Sequence, residues 1–343
     1  MIYVNARFVT QPLTGVQRYA FEICMQLKKM DTHIVFLCPP FVKQQDWALD
    51  LPVQKMGINQ GHRWEQIDLP LYLSTKKKAL LFSPCNMGPL FYKQQWLTLH
   101  DLSFKLYPQF NTTLFSRWYQ FAIARLCYRV THIFTVSETV KQAIAQQYKI
   151  SESKISTTYN GIGASMLSDF QNNFQKEKII LTVGSLSNRK NTHLIIEAFL
   201  ASDLLNDYTL VIIGKPNAIY QYKKSERNER IVYIEEASDS LLKMYYAKAS
   251  IACFMSVYEG FGIPILEALY YQCKVICSDI PVFRELYDGA VYFCDVTAVR
   301  TLTKMLNEIP YKPMAQASTI EAMLKKYDYQ VSADIIYKTM QAS

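Results

Sequence analysis

Glycine is scarce in this chain, 11 of 343 residues. A glycine that does stand in a loop therefore marks a place where the backbone needs its freedom. Charged residues make up only 19% against 50% hydrophobic ones, so apolar surface for a large core is available. The eight cysteines form no Cys-x-x-Cys and no Cys/His zinc spacing, which argues against a zinc module. Several lie in apolar runs, where cysteine behaves as a small buried hydrophobe, and that usage points to a reducing cytoplasm. No uncharged apolar run reaches the ~20 residues that span a bilayer, so any membrane contact is expected to be peripheral. The opening Met1-Ile2-Tyr3-Val4 reads as a first strand and not as a signal peptide. No Gly-x-Gly-x-x-Gly follows that strand, which speaks against a dinucleotide-binding dehydrogenase. An Asp-x-Asp metal signature, internal repeats and low-complexity segments are missing as well.

What is present begins with length: 343 residues suggest two domains. The net charge of +8 is uneven, with 18 Lys and Arg against 9 Asp and Glu in residues 1–165, and 19 against 20 in the remainder. A basic first half suggests an anionic surface nearby, lipid or nucleic acid. No nucleic-acid-binding motif accompanies it, so an anionic membrane is the expected partner and nucleic acid is not. Apolar runs at Ile2–Val4, His33–Cys38, Ala79–Phe82, Trp96–Leu99, Thr131–Val136 and Ile155–Tyr159 alternate with helical patterns such as Val16–Lys28 and Glu138–Tyr148, the latter capped by Ser137. Phe104–Arg129 is aromatic and dotted with Lys105, Arg117, Arg125 and Arg129. Such a segment can lie on a membrane surface, but the expectation is an ordinary domain helix with its aromatics in the core. The polar, irregular stretch Ala164–Lys178 marks a domain boundary. Strand and helix then alternate again through Ile179–Gly184, Thr192–Leu200, Leu210–Ile213, Ile231–Ile234, Asp239–Ala249 and Ile251–Phe254. This alternation predicts an α/β chain with a parallel sheet in each half, 1–163 and 164–326.

The stretch Ser256 to Leu269 concentrates the chemistry. Gly260 and Gly262 allow a sharp turn after a buried strand, and Pro264 fits the first turn of a helix. Backbone N–H groups from Phe261 to Ile265 are expected to face the crevice as a phosphate site. Glu259 precedes the helix and Glu267 lies one turn inside it, and a carboxylate near a helix N-terminus stays ionised at little cost. Phosphate donors beside hydroxyl acceptors suit a nucleotide sugar. Glu259 and Glu267, with Gly-Phe-Gly and Pro between them, resemble the two-glutamate signature of the retaining GT-B glycosyltransferases of family 4. That family's fold is two Rossmann-like parallel-sheet domains facing a central cleft, with a C-terminal helix, here 327–343, packed back on the first domain.

The resemblance extends through the chain. Thr14-Gly15-Val16-Gln17-Arg18-Tyr19 is similar to the family's first glycine loop, with one glycine where two are common, and Arg18 is expected on the helix surface. Arg63-Trp64-Glu65-Gln66 with Leu69-Pro70, and Ser83-Pro84-Cys85-Asn86-Met87-Gly88-Pro89, resemble segments of one branch, with Trp64 expected in the core and Glu65 as a surface charge. Asn86 stands open between contacting sugar hydroxyls and forming a turn. His100-Asp101, at a strand's carboxyl end, resembles a pair whose histidine contacts the donor sugar. Thr135-Val136-Ser137-Glu138 and Asn160-Gly161-Ile162 match the last turn of the first domain and the crossing to the second. Lys190 matches the family's diphosphate lysine, whereas the usual arginine falls at Ser185. Arg189 can supply that charge, although neighbours on an extended loop point apart.

The resemblance implies a retaining hexosyltransferase that needs no cofactor and no metal, helix ends and cations serving instead. His100, Glu259 and Lys190 would be catalytic. Gly15, Arg189, Lys190, Gly260, Phe261, Gly262 and Glu267 would bind the nucleotide-sugar donor, and Asn86 and Asp101 the acceptor or sugar. The branch points to mannose from GDP-mannose, delivered to a glycan or lipid-linked acceptor in surface polysaccharide or lipopolysaccharide synthesis, in the cytoplasm at the inner membrane face. The alternatives are a nucleotide-sugar epimerase on the same architecture and a non-catalytic nucleotide-sugar-binding partner.

Overall fold

A computed structural model describes the chain apart from residues 42, 111, 168–174, 216–227 and 343 and the side chain of residue 115. The chain divides into two compact units, residues 1–163 with 327–343, and residues 164–326. No helix among the described residues is long and apolar enough to cross a membrane. All eight cysteines are free thiols, seven of them buried.

The first unit is built on seven strands: β1 (Ile2–Asn5), β2 (Val35–Cys38), β3 (Gln54–Lys55), β4 (Leu80–Ser83), β5 (Gln95–Thr98), β6 (His132–Thr135) and β7 (Ile155–Thr157). They form one parallel sheet in the order β3-β2-β1-β4-β5-β6-β7. Its central strands are buried on both faces, which is why they read as apolar runs without alternation. The helices are α1 (Gly15–Met30), α2 (Gly61–Arg63), α3 (Leu69–Ser74), α4 (Ser103–Leu106), α5 (Thr113–Arg129) and α6 (Glu138–Tyr148). Ser137 caps α6, its Oγ accepting the Val140 N–H at 3.2 Å.

The second unit has β8 (Glu177–Val183), β9 (Thr209–Ile213), β10 (Ile231–Ile234), β11 (Ala249–Phe254), β12 (Lys274–Ser278) and β13 (Tyr292–Cys294). They too are parallel, in the order β10-β9-β8-β11-β12-β13. Around them run α7 (Thr192–Leu200), α8 (Asp239–Lys248), α9 (Ile263–Tyr270), α10 (Pro281–Tyr287), α11 (Val299–Glu308) and α12 (Ala317–Lys326). The last helix, α13 (Tyr329–Gln341), belongs to the first unit: Ser332 donates to the Tyr159 carbonyl at 2.7 Å and the Tyr329 ring meets that of Tyr19.

Four features differ from the reading of the sequence. The edge strand β3 has only two residues, both exposed, and no hydrophobic pattern to announce it. Phe104–Arg129 is not one helix, because Pro108 opens a short 3-10 turn between α4 and α5. Its aromatics do not all enter the core: Phe104 does, whereas Trp118, Phe121 and Tyr128 stand exposed on α5. Of the irregular stretch Ala164–Lys178, residues 168–174 lie outside the described residues, and β8 already begins at Glu177.

Candidate active site

In each sheet the strand order reverses once, between β1 and β4 and between β8 and β11. Loops at such a switch point diverge and leave a crevice at the carboxyl ends of the strands. In the second unit these loops carry the predicted cations and Glu259. The loop after β8 is a tight turn, with the amides of Lys190 and Asn191 donating to the Ser187 carbonyl and Asn191 at φ +55°. The turn corrects the expectation that Arg189 and Lys190 point apart. Both aim at Glu259, with Arg189 Nη1 3.0 Å from Oε2 and Lys190 Nζ 2.6 Å from Oε1. The backbones are stitched as well: Val257 N–H donates to the Arg189 carbonyl at 2.8 Å, and Arg189 Nη1 to the Tyr258 carbonyl at 2.9 Å. Burial of Glu259 works to raise its pKa, and the two cations overcome that and hold it at about 2. Ser185 is exposed on the same loop.

The α9 end of the site turns on Gly262. Its φ is +94°, and a Cβ there would lie 2.6 Å from Phe283 Cε1, so both backbone freedom and the missing side chain are required. Tyr287 donates to the Gly262 carbonyl at 3.1 Å, and its ring meets that of the buried Phe261 edge-on. The expected row of N–H donors is narrower than Phe261 to Ile265. Pro264 has none, and the Ile265 N–H donates to the Gly262 carbonyl. Among the described residues the amides of Gly262 and Ile263 have no partner. Glu267 is buried one turn on, and Tyr246 from α8 donates to its Oε2 at 2.8 Å. The Tyr246 ring is stacked on Tyr271. Sequence reasoning missed Tyr246, since nothing local to α8 announces a partner on α9. Gly214, at the end of β9, lets two loops touch: a Cβ there would fall 1.9 Å from the Gly184 carbonyl oxygen.

The first unit's candidates cluster at its own switch point. His100 follows β5, with its N–H bonded to Asn86 Oδ1 at 2.7 Å and its Nε2 to the Pro84 carbonyl at 2.8 Å. The carbonyl can only accept, so Nε2 carries the proton. Burial pushes the imidazole pKa down to about 4, against smaller raising effects from Pro84 and Asp101. Asn86 sits at φ +56°, a turn position that asparagine tolerates, and its Oδ1 is spent on His100. Asp101 accepts the Ser103 N–H at 2.8 Å. Gly15 opens α1 and is exposed.

The Arg63-Trp64-Glu65-Gln66 segment has a larger part than expected. It forms a single π-helical turn, Trp64–Asp68, of a kind frequent near functional sites. Glu65 is no surface charge. It is 1% exposed and takes Asn5 Nδ2 at 2.7 Å, Arg7 Nε at 3.4 Å and His62 Nδ1 at 3.2 Å. Burial opposes its ionisation, and Arg7 with the two hydrogen bonds overcomes that and lowers its pKa. Gln66 brackets the loop after β4, donating to the Gly88 carbonyl at 3.0 Å and accepting the Leu90 N–H at 2.9 Å. The segment thus clamps both loops of the first switch point. Its signal was the motif itself; its partner Arg7 lies far back in the chain.

Comparison with known proteins finds glycosyltransferases. Residues 167–326 match the family described as glycosyl transferases group 1, and residues 93–165 match Glycosyltransferase Family 4. The O-antigen chain mannosyltransferase RfbU of Salmonella typhimurium is 34% identical over 221 residues, 63% of this chain. The match spans 60% of that relative's length. The O-antigen chain mannosyltransferase B of Escherichia coli is 24% identical, with 94% of each chain covered. Among solved structures, Anabaena HepE in complex with UDP and glucose superposes with a TM-score of 0.76 at 16% identity, covering 100% of this chain and 99% of that one. WaaG, a glycosyltransferase involved in lipopolysaccharide biosynthesis, gives 0.71 at 15% identity, covering 98% and 99%.

Proposed function

Starting from the premise that this chain belongs to the GT-B glycosyltransferases of family 4, we propose that it transfers mannose from GDP-mannose, with retention, to a glycan or lipid-linked acceptor during surface polysaccharide or lipopolysaccharide synthesis. The observation that carries the proposal is the convergence of Arg189 and Lys190 on Glu259 at the second switch point, beside the unpaired amides of Gly262 and Ile263. Two cations held on one carboxylate, with a helix end a few residues further along the chain, favour a diphosphate leaving group, whose charge grows as its bond to the sugar breaks. Arg189 makes up for Ser185.

In the unliganded chain Glu259 is the counter-ion of both cations. A donor diphosphate replaces it there, and the released carboxylate then accepts hydrogen bonds from the sugar hydroxyls. Glu267, held by Tyr246, accepts from the ribose hydroxyls through its other oxygen. Phe261 is buried in the α9 turn, so Gly260, Phe261 and Gly262 contribute backbone. His100 and the turn at Gly15 are assigned to the donor sugar, and Asn86 and Asp101 to the shape of the loops around them. His100 is neutral at pH 7, and its Nδ1 offers a lone pair. In the transfer the bond from C1 to the phosphate oxygen breaks and the bond from the acceptor oxygen to C1 forms on the same face. The acceptor proton passes to a phosphate oxygen, and nucleoside diphosphate leaves. The cations do the work that a divalent ion does elsewhere, so no metal or cofactor is required. A lipid-linked acceptor would bring the enzyme into peripheral contact with an anionic bilayer at its cytoplasmic face.

Nucleotide release tests the reading. The protein is offered GDP-mannose and other nucleotide sugars with a lipid-linked glycan acceptor, with and without EDTA, and the product's anomeric configuration is read by NMR. GDP release in both conditions with an α-linked product is expected. Release from no donor would overturn the transferase, and loss of turnover in EDTA that is restored by Mg²⁺ would overturn metal independence.

A further inference from the structure

The exposed face of α5 is chemically unlike an ordinary domain helix. Leu114, Trp118, Phe121 and Tyr128 are 82%, 39%, 57% and 61% exposed. At 3.6 residues per turn they fall, with Arg117, Arg125 and Arg129, inside about 120° of arc. The opposite face holds Ile123, Leu126 and Cys127 in the core of the first unit. Apolar side chains therefore cover both sides of the helix, and only the outward side is interleaved with cations.

No acid balances those cations locally, since residues 102–137 contain neither Asp nor Glu. Among the described residues the three arginines have no carboxylate partner. Arg125 and Arg129, with Phe121, Ala124 and Tyr128, line a concavity of about 340 Å³. The Nε atoms of both arginines are buried and unbonded. Arg125 also stacks on Phe91, from the loop after β4, with 4.6 Å from its guanidinium carbon to the ring centroid, and Phe91 is 70% exposed. The patch thus continues off the helix.

We propose that this face of α5 is a membrane-docking surface, its aromatic side chains entering the headgroup region of an anionic bilayer and its arginines binding lipid phosphates. Charge complementarity selects the occupant: a strip of cations without carboxylates, interleaved with aromatics, fits an anionic interface. A second copy of the same face would bring like charges together. The proposal rests on the reading of a lipid-linked acceptor for its purpose, and on the α5 surface alone for its place.

The test is sedimentation of the full chain with vesicles, of phosphatidylcholine alone or mixed with phosphatidylglycerol, at low and high salt. Binding is expected only to the mixed vesicles, weakening as salt rises. The triple variant R117E/R125E/R129E should lose about 100-fold in partitioning, each arginine near an anionic surface being worth about fivefold. Trp118→Ser with Phe121→Ser should lose most of the binding while keeping the wild-type melting temperature. In the wild type, brominated lipid should quench Trp118, compared against Trp118→Phe. Equal binding to both vesicle types, or a triple variant that binds like wild type, overturns the proposal. Self-association of the wild type that the double variant abolishes assigns the face to a second copy and overturns it too, as does capture of single-stranded DNA in preference to vesicles. Nucleotide release measured with a water-soluble acceptor should be unchanged in both variants. If wild type releases no nucleotide but binding still maps to α5, only the transferase reading fails.

Discussion

The carboxyl ends of the two sheets use the same topology for opposite electrostatic ends. In the second unit the switch-point loops hold ionised groups against one another: Arg189 and Lys190 on Glu259, with the α9 end beside them. In the first unit His100 is kept neutral, Asn86 is spent on the His100 amide and Asp101 on that of Ser103. At the second switch point, on the proposed reading, a ligand exchanges with the carboxylate held between two cations; at the first, Glu65 is buried against Arg7 and His100 is neutral. On the reading proposed above, leaving-group chemistry falls to the second unit, and the first supplies surfaces. Lys190→Ala puts this division to its hardest test. Removing one preorganised cation from a developing diphosphate should lower turnover by about 10²–10³, while nucleotide release is still measurable through Arg189. A loss smaller than about threefold would remove the charge argument.

Acid separates the units next. His100 has a folded pKa of about 4 against an ordinary 6.5, so the unfolded chain binds its proton first. Its contribution to stability is complete above pH 6.5 and is lost as pH falls toward 4, about 2 kcal/mol between pH 7 and 5. His132, also lowered by burial, acts in the same direction. Glu259, lowered to about 2, keeps its contribution down to pH 4.5 and loses it only below. The four tryptophans, Trp47, Trp64, Trp96 and Trp118, all belong to the first unit. Urea unfolding followed by tryptophan fluorescence should thus weaken by pH 5, whereas hydrogen exchange in β11 and the Glu259 turn should not. His100→Gln should flatten the fluorescence effect. Equal acid sensitivity in both units would end the contrast.

The two units also differ in how much the sequence disclosed. The alternation was readable because strands of parallel sheets are buried on both faces and so appear as apolar runs. Glu259, the glycines and Glu267 form one contiguous stretch, and their geometry depends on local backbone that Gly262 and Pro264 announce. What escaped reading depends on distant partners. The convergence of Arg189 and Lys190 needs a turn closed onto Ser187, and the burial of Glu65 needs Arg7 and Asn5 from β1 and the loop after it. The exposed aromatics of α5 were misplaced because composition does not say which face of a helix a neighbouring sheet will cover.

Tyr246 sharpens the comparison from within the second unit. Its hydroxyl is the buried donor to Glu267 Oε2. Tyr246→Phe removes that donor from the buried carboxylate, which costs about 1–3 kcal/mol. Affinity for the nucleoside diphosphate, measured by calorimetry, should fall about tenfold. If Glu267 grips the ribose, the loss appears in KM with kcat within about twofold, the pattern of uniform binding. An equal fall in kcat and kcat/KM would instead put Glu267 in the reacting centre.

Asp101 is where the contrast predicts almost nothing. The family resemblance puts it beside the sugar-contacting histidine, but its Oδ1 is already bonded to the Ser103 amide two residues on, an Asx turn that leads into α4. Asp101→Ala removes one partly buried hydrogen bond, worth about 0.5–1.5 kcal/mol of stability, and should shift the fluorescence-monitored midpoint slightly. Donor turnover should stay within about threefold, because the proposed reading puts the charge that meets the diphosphate on Arg189 and Lys190. Asp101→Asn keeps an oxygen for the Ser103 amide and should restore the midpoint. If both substitutions instead reduced turnover a hundredfold while the midpoint held, Asp101 would be acting on substrate through its charge. The first unit would then carry chemistry of its own.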